Sequence, residues 1–345
     1  MRFDDYFFDL PQDLIARQPL ADRDQARLLV LDRAADTVQH ARVGDLPAIL
    51  AQRAEWLGER WHVVMNESRV MPSTLEVQDV GGPRRVAFGR DPGTQRWAPL
   101  GDPMDVVHPQ RVARNTSAAA ARIAEANPYS MSQLLAEDGQ ITLPRYLAHL
   151  EDVVRADPSP SPAFYNTVYA RVEGSVAPPS GGINLSHGTL GALAGAGVGQ
   201  SRIVHHVGAV TFRHPTVERL DAHRMEGERF AISQRAAQDI GAAKDAGRRI
   251  LAVGTTSTRA LEYVAATGGL GRPATGRVGV ADLFITPEHQ FKLVDGLLTG
   301  LHAPRTTLFV LVCSLAGRDL VLRAYEEAKA RRYRWYTLGD SMLVL

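Results

Sequence analysis

The chain has 345 residues, 45% of them hydrophobic, and its 39 basic and 38 acidic residues leave a formal charge of +1. That length supports one large domain or two with ample core, and so even a charge balance carries no global signature of a dedicated nucleic-acid binder. A single cysteine, Cys313, excludes a disulfide framework and any multi-cysteine zinc site. It sits in the apolar run Leu308–Leu315 and reads as a small buried hydrophobe. All basic residues but Lys244, Lys292 and Lys329 are arginine, a bias that belongs to no one site. The N-terminal stretch is acidic and lacks a cleavable-signal pattern. No apolar run approaches the ~20 residues of a membrane span, so the expected location is the cytoplasm.

In chain order, Arg27–Asp32 and Trp61–Met65 are short apolar runs and read as strands, and Pro72 breaks the pattern that follows. From residue 75 to about 162 the composition changes. Gly-Gly-Pro, Asp-Pro-Gly and Gly-Asp-Pro turns punctuate short strand-like pieces such as Arg85–Phe88, with a helix-like run at Ser117–Glu125. This reads as a smaller, strand-rich domain (75–162) inserted into a larger one (1–74 and 163–345). Beyond it, Ile203–Val207, Arg249–Val253 and Leu283–Ile285 read as strands. Ser233–Ala246 (capped by Ser233 and ended by Gly247), Thr258–Ala266, Thr306–Ala316 and Asp319–Ala330 read as helices. Strands alternating with helices predict an α/β domain that binds its ligands at strand ends. The aromatic cluster and Gly-Asp of Tyr333–Asp340 predict a C-terminus docked on the core.

Five polar segments stand at those strand ends. The first is the loop Gly174–Ser186, GSVAPPSGGINLS. Gly181 and Gly182 permit close approach to the main chain, and Ser186 suits the N-cap of the run Gly188–Ala196, whose positive end would face the loop. Next, His205 and His206 are adjacent on a strand, so at most one reaches a shared pocket. His223, Glu226 and Glu228 then supply an imidazole and two carboxylates within six residues, enough for acid–base work if they converge. Their spacing fits no compact metal motif. In Val253–Glu262 an apolar strand runs through Gly-Thr-Thr-Ser into a helix, a geometry that holds an anion with N–H groups and hydroxyls. It lacks the Gly-Lys ending of a Walker loop. Arg259 there either grips a carboxylate ligand or pairs with Glu262 one turn on. Last, His302 precedes a Pro-containing turn and a helix start, as at a pocket rim.

In this order and spacing, the segments resemble the S-adenosylmethionine:tRNA ribosyltransferase-isomerase family of queuosine biosynthesis. The likeness runs through Asp9-Leu-Pro, Arg27-Leu-Leu-Val-Leu-Asp-Arg33, Asn66-Glu-Ser-Arg69, Tyr165-Asn-Thr-Val-Tyr-Ala170 and Gly174-Ser-Val-Ala. It continues in His206-Val-Gly-Ala, Gly254-Thr-Thr-Ser-x-Arg259-x-Leu-Glu262, Asp282-Leu-Phe-Ile, His302-x-Pro-x-Thr-Thr-Leu and Tyr333-Arg-x-x-x-x-Gly-Asp340. The resemblance implies an α/β domain carrying a smaller inserted β-barrel-like domain. It also implies that the ribosyl part of S-adenosylmethionine is transferred to the aminomethyl group of a 7-deazaguanine in tRNA and isomerised. Adenine and methionine leave, and no metal takes part. On this resemblance, His223, Glu228 and Glu226 are the catalytic candidates. Thr255, Thr256 and Arg259 would anchor an anion, and Asn184, Ser186, His206, Asp282 and His302 would shape the S-adenosylmethionine pocket. The sequence departs from the family where Asn184 and Glu226 stand in place of histidines. Those departures keep two alternatives open: a paralogue with a small-molecule acceptor or none, and a catalytically dead RNA-binding paralogue. The oligomeric state is not legible.

Overall fold

The computed structural model describes residues 1–79, 82–90, 97–101, 106–107, 135, 139–150, 154, 162–208, 211, 214–271 and 274–345. Its strands in chain order are β1 (Arg27–Asp32), β2 (Thr37–Arg42), β3 (Trp61–Asn66), β4 (Ser68–Val70), β5 (Thr74–Asp79), β6 (Gly82–Arg90), β7 (Trp97–Gly101) and β8 (Val106–Val107). They continue as β9 (Leu143–Pro144), β10 (Val172–Ser175), β11 (Gly199–His205), β12 (Glu228–Ile232), β13 (Arg249–Val253), β14 (Arg277–Ala281), β15 (Gly296–Gly300) and β16 (Ser341–Val344). The α-helices are α1 (Leu46–Leu57), α2 (His187–Gly195), α3 (Gln234–Asp245), α4 (Gly254–Ala266), α5 (Thr307–Ala316) and α6 (Arg318–Ala330).

One nine-stranded sheet, in the order β14-β12-β11-β3-β13-β15-β16-β1-β2, organises the described residues. Its centre, β11, β3, β13 and β15, is parallel, so these four strands all end on one edge. Side chains alternate across it with a period of two. Trp61, Val63, Met65, Leu251, Val253 and Leu298 pack with α1 and α2 on one face. On the other face, Val64, Ile250 and Ala252 pack with α3 and α4, and Leu297, Met342 and Val344 with α5 and α6. With helices on both faces, the strands read as nearly continuous apolar runs, which is why β3 and β13 stand out in the sequence.

The expected α/β architecture is present, with several differences in detail. The helix expected from Thr258 begins at Gly254, directly off β13, and the Ser257 and Thr258 hydroxyls donate to the carbonyls of Val253 (2.7 Å) and Gly254 (3.1 Å). Ile203–Val207 belongs to a strand that runs instead from Gly199 to His205. The strand expected at Leu283–Ile285 is not formed. Sheet pairing stops at Ala281, the Leu283 carbonyl accepts from Arg259 Nε (3.2 Å), and Ile285 is buried among helix side chains. That apolar run is buried by packing rather than by pairing. α3 starts behind Ser233, whose Oγ accepts from the Ala236 N–H (3.2 Å). The C-terminus does dock: Tyr333 and Trp335 are buried, and β16 fills the sheet between β15 and β1.

Within 75–162, β5, β6 and β7 form an antiparallel three-stranded sheet, and β8 pairs with β9. The expected helix at 117–125 lies outside the described residues. Leu143, Leu147 and Leu150 share a buried cluster with Val70, Tyr165, Ile183 and Leu338, which ties the end of this stretch to the larger sheet. Among the described residues, no helix is long and apolar enough to cross a membrane.

Candidate active site at the carboxyl edge of the sheet

Four of the five polar segments follow or begin strands along that shared edge. Asn66 ends β3 and organises the neighbouring strand. Its Nδ2 donates to the His205 carbonyl (2.7 Å) and to Thr256 Oγ1 (3.2 Å), while its Oδ1 accepts from the N–H of His205 (2.9 Å) and Ser68 (3.1 Å). The Pro-Pro-Ser-Gly-Gly loop then lies across the start of α4. A Cβ on Gly181 would fall 2.5 Å from Gly254 Cα, so only glycine allows these backbones to touch. Gly174, at φ +140°, likewise leaves room for the His206 ring, 2.6 Å from where its Cβ would lie.

Between this loop, the end of β15 and the C-terminal segment lies a cavity of about 480 Å³. Its wall includes Pro178, Ser180, His302, Thr306, Tyr146 and Tyr336. His302 is buried, its Nε2 shares a hydrogen bond with Thr299 Oγ1 (2.9 Å), and its backbone N–H donates to Tyr325 Oη (3.0 Å). Burial pulls its pKa down to about 4, so the imidazole is neutral at physiological pH.

Glu228 heads β12 at the centre of a second, fully buried constellation. One oxygen accepts from His205 Nε2 (3.0 Å) and from the Arg259 guanidinium, and the other from the Gly208 N–H (2.8 Å). Burial alone would raise its pKa, but Arg259 and His205 outweigh that and hold it at about 2. The carboxylate is an acceptor, so His205 Nε2 donates in this bond. Arg259 donates further to the carbonyls of Leu283 and Ala281 (3.0 Å), so most of its fork is used internally. Glu262 is not its partner. That carboxylate receives the backbone N–H groups of Lys292, Leu293 and Val294, and His289 Nε2 at 3.0 Å.

The remaining expected site residues are dispersed. His223 packs edge-on against Phe3 (5.6 Å) and Phe284 (5.1 Å), and burial lowers its pKa. Glu226 and Asp282 are exposed. Thr255 is buried at the first turn of α4, beside the half-buried Thr256. Asn184 is buried, and its Nδ2 donates to the Gly339 carbonyl (2.8 Å) and Ser341 Oγ (3.0 Å), tying the loop to the C-terminal strand. Ser186 caps α2 as expected, accepting from the Thr189 N–H (3.0 Å). It also donates to Asp24 Oδ2 (2.8 Å), so the positive end of α2 faces the chain's own carboxylate. Asn66, His205 and the Tyr146–Tyr336 pair have no role assigned from sequence, although His205 is weighed there beside His206. The signal for Asn66 was available, as an amide closing the otherwise apolar Trp-His-Val-Val-Met run. Among the described residues, no three His, Cys, Asp or Glu side chains converge as a metal site.

Residues 3–344 match the model of the queuosine biosynthesis protein family. A protein of Symbiobacterium thermophilum named S-adenosylmethionine:tRNA ribosyltransferase-isomerase is 38% identical over the full length of both chains. One of the same name from Syntrophotalea carbinolica is 36% identical, again over the full length of both. A crystal structure of S-adenosylmethionine tRNA ribosyltransferase from Thermotoga maritima matches with a TM-score of 0.57 and 26% identity over 99% of each chain. Likeness of this extent, over essentially the whole chain, places it in the queuosine biosynthesis protein family.

Proposed function

We propose that this protein is an S-adenosylmethionine:tRNA ribosyltransferase-isomerase that takes S-adenosylmethionine as a substrate and tRNA as acceptor. The observation that carries the reading is 38% identity to a relative bearing that name, over 100% of each chain. Neither a small-molecule acceptor nor a catalytically dead paralogue is favoured beside it. The cytoplasm, where the tRNA acceptor would be met, is the proposed location.

The reaction needs a base for a proton beside the sulfonium, help for the departing adenine, and an anchor for the methionine carboxylate. His302 is proposed for the first role on position, since it is a neutral imidazole on the cavity wall with its Nε2 paired to Thr299 Oγ1. Glu228, held at about 2, is a weak base at neutral pH and serves better as the fixed charge that orders His205 and Arg259. His223, half-buried and neutral, is the second acid–base candidate, with the exposed Glu226 beside it in the chain. Thr255 and Thr256, at the positive end of α4, are proposed as the carboxylate anchor, with Arg259 behind them and His206, Ser186, Asn184 and Asp282 shaping the surroundings. Residues 75–162 are proposed as a separate inserted domain.

The reading is tested by incubating the enzyme and S-adenosylmethionine with tRNA that carries the aminomethyl-deazaguanine, then digesting the tRNA and weighing its nucleosides. A mass gain on that base is expected. Unaltered nucleosides from a folded enzyme would reject the assignment.

A further inference from the structure

The cavity at the end of β15 has one wall that the roles above leave without a task. Tyr146 and Tyr336 both line it, their ring centroids 5.0 Å apart and their planes at 45°. Both residues are held in place, Tyr336 through its backbone and Tyr146 through its hydroxyl. Tyr336 sits at φ +71°, a left-handed conformation that bulky residues seldom adopt. It is kept there by its N–H on the Leu301 carbonyl (3.2 Å) and by the Gly339 N–H on its own carbonyl (2.9 Å). Tyr146 is fixed through its hydroxyl, which bonds Thr337 Oγ1 (2.7 Å) and accepts the Thr337 N–H (3.3 Å). Backbone conformations of this kind cluster at ligand sites.

The rest of the lining narrows the ligand. No Lys, Arg, Asp or Glu stands among the described lining residues; the polar groups are hydroxyls, one amide and the imidazoles of His214 and His302. A lining without cations does not grip phosphates. Aromatic rings with neutral donors and acceptors suit an uncharged heterocycle, and about 480 Å³ accommodates a nucleoside. We propose that Tyr336, braced by Tyr146, is the stacking wall for the adenine ring of S-adenosylmethionine. This rests on the substrate assignment made above.

The test is calorimetric binding of S-adenosylmethionine to the full chain and to Tyr336→Phe, Tyr336→Leu and Tyr336→Gly, with thermal unfolding of each. The Phe variant should bind within about twofold of the parent, because stacking needs the ring and not the hydroxyl. The Leu and Gly variants should bind at least ~10-fold more weakly. Glycine adopts φ +71° without strain, so that variant stays folded even if the Leu variant does not. Equal affinity in the parent and the Gly variant overturns the proposal while leaving the substrate assignment intact. The proposal also fails if the Gly variant loses affinity for tRNA alone, since the ring then stacks on an RNA base. A folded parent that does not bind S-adenosylmethionine overturns the assignment itself.

Discussion

At the scale of single residues, the two buried constellations make opposite electrostatic statements. Glu228 has a folded-state pKa of about 2, below its ordinary 4.5, so its carboxylate contributes stability in full above about pH 5. That contribution is lost as pH falls toward 2. Glu228→Gln leaves Arg259 buried beside a neutral amide and should cost about 3–5 kcal/mol. It should also flatten the acid side of the stability profile, as read by urea unfolding between pH 7 and 3. An unchanged profile would mean the ion pair contributes nothing net. His302 behaves differently. Its pKa is lowered from 6.5 to about 4, so the folded state resists the proton that the unfolded chain accepts, and stability falls as pH drops from about 6.5 to 4. His302→Asn keeps a polar group near Thr299 but cannot take a proton at neutral pH. It should lower kcat by about 10²-fold while changing S-adenosylmethionine affinity by less than ~3-fold. An unaltered kcat would remove His302 from the proton-transfer step.

At the scale of elements, the site depends on two backbones touching, the Pro-Pro-Ser-Gly-Gly loop and the start of α4. Gly181→Ala puts a methyl group 2.5 Å from Gly254 Cα, where neither backbone can yield. The expected result is a loss of about 1–3 kcal/mol together with weaker S-adenosylmethionine binding, read from thermal melts and calorimetry on the same variant. A variant of parental stability and affinity would show that the loop has room to move. This contact also shows what was legible in the sequence. The glycines marked a close approach, but only the folded chain reveals that the partner is Gly254. Periodicity found β3, β13 and the helices α3, α5 and α6, and found α4 with a late start, because strands buried on both faces and helices with a continuous apolar face leave strong patterns. It missed β12, β15 and β16, and it misread Leu283–Ile285, where burial without pairing leaves the same apolar signature. Arg259 was ambiguous for a similar reason. Helical spacing offered Glu262, whereas the fold delivers Glu228 from the neighbouring strand β12. Of the two adjacent histidines, sequence favoured His206, and only the strand's facing reveals His205 on Glu228.

At the scale of the whole molecule, the sheet gathers residues from Asn66 to Tyr336 onto one edge, and the chain's last strand is part of that edge's support. Asn184 illustrates the coupling. Where the family resemblance leads one to expect a pocket histidine, this chain has an amide that binds the Gly339 carbonyl and Ser341 Oγ. Asn184→Ala should therefore destabilise the protein by about 1–3 kcal/mol through unsatisfied buried partners. It should spare the chemistry more than His302→Asn does, and a comparison of denaturant midpoints with kcat separates the two effects. The central claim is that this edge turns over S-adenosylmethionine on tRNA. The most direct measurement is the release of adenine and methionine from S-adenosylmethionine, followed by chromatography with and without tRNA bearing the aminomethyl-deazaguanine. Release of both products in equal amounts, only when that tRNA is present, is the predicted result. Release at the same rate without RNA, or none with it, would contradict the account.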